Sequence, residues 1–166
     1  DETREQIAAD EATTAVFYSI SNCQDGLRGI SFGNFLIKQV VDDLKKELPG
    51  LTNFVTLSPV PGFARWLSAI RTAEDDPALS AEDRATLSAM DKPSWSDDAE
   101  VVAKIERIIV PMAAHYFLTA KTADGRPIDP VARFHLGNGA RLERLNFLGD
   151  RSPKAMKQAH GLMVNY

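Results

Sequence analysis

The 166 residues predict an α/β protein, a mixed sheet with flanking helices. Three observations carry this. Short runs rich in β-branched and aromatic residues recur at 15–21, 52–57, 141–147 and 161–166. Between the first two lies a long stretch, 32–48, whose apolar residues step by four. Turn residues separate the segments: Asp25-Gly26, Pro49-Gly50, Asp124-Gly125-Arg126-Pro127 and Asn138-Gly139.

The elements follow in order. Residues 1–14 are polar, with Glu2, Glu5, Asp10 and Glu11, and form a helical or disordered lead-in. Ala15 to Ser21 is an apolar strand bounded by Asn22. In the long helix, Phe32, Leu36, Val40, Leu44 and Leu48 step by four with Phe35, Ile37 and Val41 beside them. The charged residues Asp42, Asp43, Lys45, Lys46 and Glu47 fall mostly on the opposite face, and Pro49-Gly50 stops the helix. Thr52 to Leu57 is a second strand ending at Ser58, after which Pro59 and Pro61 interrupt regular structure. A short helix then buries Phe63, Trp66, Leu67 and Ile70.

Residues 72–110 read as an insertion of helices and acidic loops. Ser80-Ala81-Glu82-Asp83 is a capping-box pattern. A second inserted helix opens near Ser96-Asp97-Asp98, puts Val101, Ile105, Ile108 and Met112 on one face, and ends or kinks at Pro111. Asp129-Pro130 starts a helix of about two turns that Asn138-Gly139 stops. Val131, Phe134 and His135 share one face of it, so His135 is expected on the buried side. Arg141–Phe147 is a strand, Ser152–Ala159 a short helix, and Gly161–Tyr166 a closing strand.

Composition narrows function. With 44% hydrophobic and 25% charged residues the chain is an ordinary globular protein. One domain of this size buries roughly two-thirds of its unfolded surface. A net charge of −4 gives no reason to expect nucleic acid. No apolar run reaches the roughly 20 residues that span a bilayer. The first residues match neither a secretory signal nor an Arg-rich transit sequence. Cys23, the only cysteine, precludes an internal disulfide and a multi-cysteine metal site, and a cytoplasmic, reducing location is expected. No Asp/Cys/His cluster suggests a metal.

Three places could carry chemistry. Arg28-Gly29-Ile30-Ser31-Phe32-Gly33-Asn34 lies between a strand and a helix start, where free N–H groups and the helix dipole favour a pyrophosphate. Taken alone, glycines before a helix are more often a plain turn. Ser58 ends a strand beside two prolines and either ties up a turn or does chemistry; it is not in a Gly-x-Ser-x-Gly elbow. His135 is either a hydrogen-bonded core histidine or a catalytic one. Trp66, Trp95 and the four methionines are packing residues.

Four stretches together resemble the malonyl-CoA decarboxylase family in its C-terminal catalytic domain. They are Phe17-Tyr18-Ser19-Ile20-Ser21, the run Gly26–Lys38, Thr56-Leu57-Ser58-Pro59-Val60-Pro61-Gly62-Phe63, and Asp129-Pro130-Val131-Ala132-Arg133-Phe134-His135-Leu136-Gly137-Asn138-Gly139-Ala140. The resemblance is close over Phe17–Leu67 and His115–Tyr166 and weak between Arg71 and Ile108. It implies an acetyltransferase-like acyl-CoA fold, incomplete here on its N-terminal side, and a chain that is a fragment lacking the family's N-terminal helical domain. It makes Ser58 and His135 the catalytic pair, serine as proton acceptor and histidine as proton donor. His135 stands four residues before Gly139, where acetyltransferases of this fold keep a general-acid tyrosine. CoA is expected on Arg28, Gly29, Ile30, Ser31, Phe32, Gly33 and Asn34, a degenerate copy of the fold's phosphate loop. Ser31 stands where other members carry glutamate. The implied reaction turns malonyl-CoA into acetyl-CoA without a metal or organic cofactor, in a homo-oligomer, a tetramer in the family, assembled through the helical domain. An N-acyltransferase or a non-catalytic acyl-CoA-binding module are the alternatives.

Overall fold

The computed structural model describes residues 8–18, 33–73 and 75–166. They gather into two compact units, Asp1–Leu57 and Ser58–Tyr166.

In the first unit a 3₁₀ turn, Ala9–Glu11, leads to strand β1, Thr14–Tyr18. Helix α1, Gly33–Glu47, precedes strand β2, Asn53–Pro59. β1 and β2 are parallel in the register Thr14↔Asn53 to Tyr18↔Leu57, which requires the intervening crossover helix. Residues 19–21, where β1 was expected to continue, lie outside the described residues, as do Cys23 and Arg28–Phe32. The long helix differs from expectation in its face. Leu36 is 61% and Val40 39% exposed, whereas Ile37, Val41, Leu44 and Leu48 are half-buried. The covered stripe thus follows the i, i+4, i+7, i+11 spacing of a 3.6-residue turn rather than a strict step of four. Lys45 places its ammonium 5.3 Å from the Phe54 ring centroid.

The second unit begins at Ser58, inside β2. Contrary to the sequence expectation, β2 includes Pro59; proline is its last residue, so the missing N–H interrupts no further ladder. Helix α2, Phe63–Thr72, follows, with Phe63 and Leu67 fully buried and Trp66 and Ile70 packed at the margin. Helix α3, Ala81–Leu87, opens on the expected capping box: the Ser80 hydroxyl accepts from the Asp83 N–H while the Asp83 carboxylate accepts from the Ser80 N–H. Two 3₁₀ turns, Ser88–Asp91 and Trp95–Asp97, lead into helix α4, Ala99–Thr119, capped by Asp98.

α4 runs on through Pro111, which lies inside a 21-residue helix, so the proline does not end it. Proline removes one i→i−4 hydrogen bond at a cost of about 3 kcal/mol. Buried residues on both sides of it, Ile105 and Ile109 before, Met112, Ala113, Tyr116 and Phe117 after, hold the helix together. After a turn at Gly125, whose φ of +77° suits glycine, come helix α5, Pro130–Gly137, strand β3, Arg144–Asn146, helix α6, Pro153–Ala159, and strand β4, Met163–Asn165. β4 pairs antiparallel with β3 and with the end of β2, Ser58↔Val164 and Pro59↔Met163. Pairing is therefore parallel in the first unit and antiparallel in the second, the mixed sheet the sequence predicts. The core of the second unit joins Val60, Phe63 and Leu67 to Leu87, Ile105, Ile109, Leu162 and Val164. No described helix is long and apolar enough to cross a membrane.

Candidate active site

Ser58 is set by the antiparallel ladder. It lies opposite Val164, and directly opposed residues project to the same face. Two residues further along the extended chain, Tyr166 returns to that face. Helix α5 delivers His135 to the same place. Asp129 begins that helix as an N-cap, its Oδ1 accepting from the Val131 N–H at 3.0 Å and the Ala132 N–H at 2.9 Å. Pro130 occupies the first turn, where its missing N–H costs nothing. The helix closes at Asn138 and Gly139, the latter at φ +86°.

The result brings together two residues 77 apart in sequence. Ser58 Oγ lies 3.3 Å from His135 Nε2 in a buried setting. Ser58 is 4% and His135 6% exposed. The imidazole stacks on the Tyr166 ring, 4.5 Å between centroids at 19°, and meets Phe134 edge-on. Burial holds His135 below its ordinary range, so the ring is neutral at neutral pH. A neutral imidazole beside a hydroxyl can relay a proton without introducing a fixed charge.

Two further buried polar side chains belong to the same unit, Asp129 at the start of α5 and Tyr116 on α4. Asp129 is 1% and Tyr116 2% exposed. Burial pushes Asp129 upward, against the Ala132, Val131 and Gly62 N–H groups and the Tyr116 hydroxyl. Burial and then the Asp129 charge push Tyr116 upward in turn. Tyr166 is raised by burial and by the Asp129 and Tyr116 charges. In the sequence Asp129 stands out only as a cap, and Tyr116 does not stand out. The available signal was a tyrosine four residues after Met112 on the buried stripe of α4, since a buried hydroxyl needs a polar neighbour.

Of the expected CoA loop, Arg28, Gly29, Ile30, Ser31 and Phe32 lie outside the described residues, while Gly33 and Asn34 open α1. His115 is exposed beside Trp66, and His160 ends α6 in the left-handed region at φ +51°. Among the described residues no three His, Cys, Asp or Glu form a metal-binding group.

The family model of the malonyl-CoA decarboxylase C-terminal domain matches residues 1–166. The mitochondrial malonyl-CoA decarboxylase of Anser anser anser is 36% identical over 99% of this chain and 36% of its own length. That of Rattus norvegicus is 34% identical with the same coverage. The crystal structure of malonyl-CoA decarboxylase from Agrobacterium vitis superposes with a TM-score of 0.92 at 71% identity, covering 100% of this chain and 41% of that one. The enzyme from Rhodopseudomonas palustris gives 0.90 at 64%, covering 100% and 38%. The chain thus spans well under half the length of these relatives.

Proposed function

This chain belongs to the malonyl-CoA decarboxylase family, matching its C-terminal domain over residues 1–166, and on that premise we propose that the protein decarboxylates malonyl-CoA to acetyl-CoA and carbon dioxide. The observation that carries the reading is the buried 3.3 Å contact between Ser58 Oγ and His135 Nε2. The bond between the carboxylate carbon and the α-carbon breaks, and its electron pair moves onto the thioester oxygen. A proton added at the α-carbon then gives acetyl-CoA. The thioester is itself the electron sink, so we propose no resident metal or organic cofactor. The protein must supply donors at the developing oxyanion and one proton.

In this reading His135 Nε2–H donates to Ser58 Oγ, which leaves the serine's own proton directed at the substrate. The enolate draws that proton, the histidine replaces it on the serine, and solvent restores the histidine. One such donor is worth about 3–4 kcal/mol in the transition state. CoA is assigned to Arg28–Asn34 on sequence alone. A homo-oligomer and a cytoplasmic location belong to the same proposal; the animal relatives are mitochondrial by name, so imaging of the full-length protein decides the compartment.

The test is to incubate the full-length protein with malonyl-CoA and no acyl acceptor. Acetyl-CoA and carbon dioxide should appear in equal amounts. Turnover only with an added amine would instead indicate an N-acyltransferase, and binding without turnover a non-catalytic module.

A further inference from the structure

Four helices of the second unit have side-chain N-caps. Ser80, Asp98 and Ser152 are solvent-exposed, as a cap can well be. Asp129 alone is buried, at 1% exposure. Removing a carboxylate from water costs several kcal/mol, and capping does not require it. This exception falls on the helix that carries His135.

The second carboxylate oxygen shows what else is present. Asp129 Oδ1 makes both cap bonds. Oδ2 is buried and makes no hydrogen bond among the described residues. The donors that act on the carboxylate besides the cap are the Tyr116 hydroxyl and the Gly62 N–H. Tyr116 comes from α4. Gly62 lies four residues after Ser58 and opens α2. These two donors also meet each other: a Cβ on Gly62 would come within 2.7 Å of the Tyr116 hydroxyl oxygen. That approach is possible only because position 62 is glycine. One carboxylate is therefore shared by the turn that follows Ser58, the start of the His135 helix, and a tyrosine rooted in the core.

We propose that Asp129 is a positioning residue for the reaction: its carboxylate holds the start of α5 against Gly62 and Tyr116 and so sets the separation of Ser58 Oγ and His135 Nε2. The inference rests on the reading of Ser58 and His135 as the reacting pair. It differs from simple capping in a measurable way. Asn, Asp and Ser are near-equivalent N-caps, so a capping role alone survives either replacement. The positioning role does not. In Asp129→Asn, with its amide turned inward, a donor meets the Tyr116 and Gly62 donors, and Asp129→Ser removes the second oxygen altogether.

The experiment uses the full-length protein and compares Asp129→Asn, Asp129→Ser, Tyr116→Phe and, as a reference, Ser58→Ala. Displacements of about 1 Å at a reacting pair cost up to about 100-fold. Both Asp129 variants should therefore lose about 10- to 100-fold in kcat, with KM for malonyl-CoA within about threefold of wild type. Tyr116→Phe, which keeps the ring, should lose about 10-fold in kcat, and Asp129→Asn/Tyr116→Phe should lose no more than about threefold beyond the worse single variant. Should neither Asp129 variant fold, Tyr116→Phe carries the test. Wild-type kcat in folded Asp129→Asn and Asp129→Ser, or in Tyr116→Phe when these do not fold, overturns the positioning role. If Ser58→Ala also keeps its turnover, the pair itself has been misread. If Ser58→Ala is inactive while those variants are not, the inference about Asp129 fails alone.

Discussion

The imidazole of His135 lies flat on the phenol ring of Tyr166, 4.5 Å between centroids at an interplanar angle of 19°. Its Nε2 at the same time faces Ser58 Oγ at 3.3 Å. A ring held on its face and at its edge has little rotational freedom left. The stack, with the Asp129-capped backbone of α5, decides where the ring nitrogen points.

Tyr166→Leu should therefore impair chemistry more than binding. Aromatic pairs contribute about 0.5–1.5 kcal/mol beyond the area they bury, which at the upper end is about 10-fold in rate. We expect kcat to fall by about that factor, with KM little changed, while Tyr166→Phe, which keeps the ring, retains most turnover. Steady-state kinetics at saturating and limiting malonyl-CoA separate the two constants. A Leu variant with wild-type kcat would remove the ring from any account of His135.

How much of this was legible in the sequence depends on the range of the interaction. The Ser80–Asp83 capping box, the Asp129-Pro130 start and the Asn138-Gly139 stop are local, and each lies where its residues predict. The buried side of His135 follows from the α5 period. That α4 does not end at Pro111 was not legible locally, because local geometry favours a stop there and only the buried residues on both sides of it carry the helix through. The Leu36 and Val40 face was misread because a step of four drifts around a 3.6-residue turn. The Ser58↔Val164 register, which brings Tyr166 to the histidine, joins segments more than 100 residues apart and has no local signature. The burial of Asp129 is likewise tertiary, since an N-cap sequence is the same whether water or Tyr116 lies beyond it.

Pro111 offers a stability test. Its side chain is exposed, so Pro111→Ala leaves no cavity and restores a helical N–H. Interior proline costs up to about 3 kcal/mol relative to alanine, although α4 has adapted to it. We expect a gain of about 1–2 kcal/mol, seen as a rise of roughly 2–8 °C in the melting midpoint at this chain length. A lower midpoint would mean that the packing of α4 depends on the proline.

Acid sensitivity should come in part from His160. Burial pushes it from 6.5 down to about 4, with the Arg71 charge adding to the effect and Asp91 opposing it. The unfolded chain thus binds this proton more readily than the folded one. Stability from this group is complete above pH 6.5 and is lost progressively as pH falls towards 4. His135, also lowered by burial, adds in the same direction. Asn tolerates the left-handed backbone at position 160. His160→Asn should accordingly match wild type near pH 7 and surpass it by about 2–3 kcal/mol near pH 4, by urea unfolding across that range. Parallel pH slopes in the two proteins would show that this proton is not linked to folding.

Ser58 and His135 should fail together. Each single change removes the contact between them; in the proposed mechanism Ser58→Ala takes away the hydroxyl that protonates the substrate, and His135→Asn the ring that replenishes its proton. Either change should lower kcat by about 100-fold or more, on the order of 3 kcal/mol, while CoA affinity stays near wild type. In the proposed mechanism both groups serve one transition state, so the double variant should lose far less than the product of the single losses. His115→Ala, at an exposed position beside Trp66, is the control and should leave turnover within about twofold of wild type. Rapid-quench measurement of acetyl-CoA formation isolates the chemical step from product release. Full multiplicative losses in the double variant would mean that serine and histidine act at separate steps, and the 3.3 Å contact between them would then be structural.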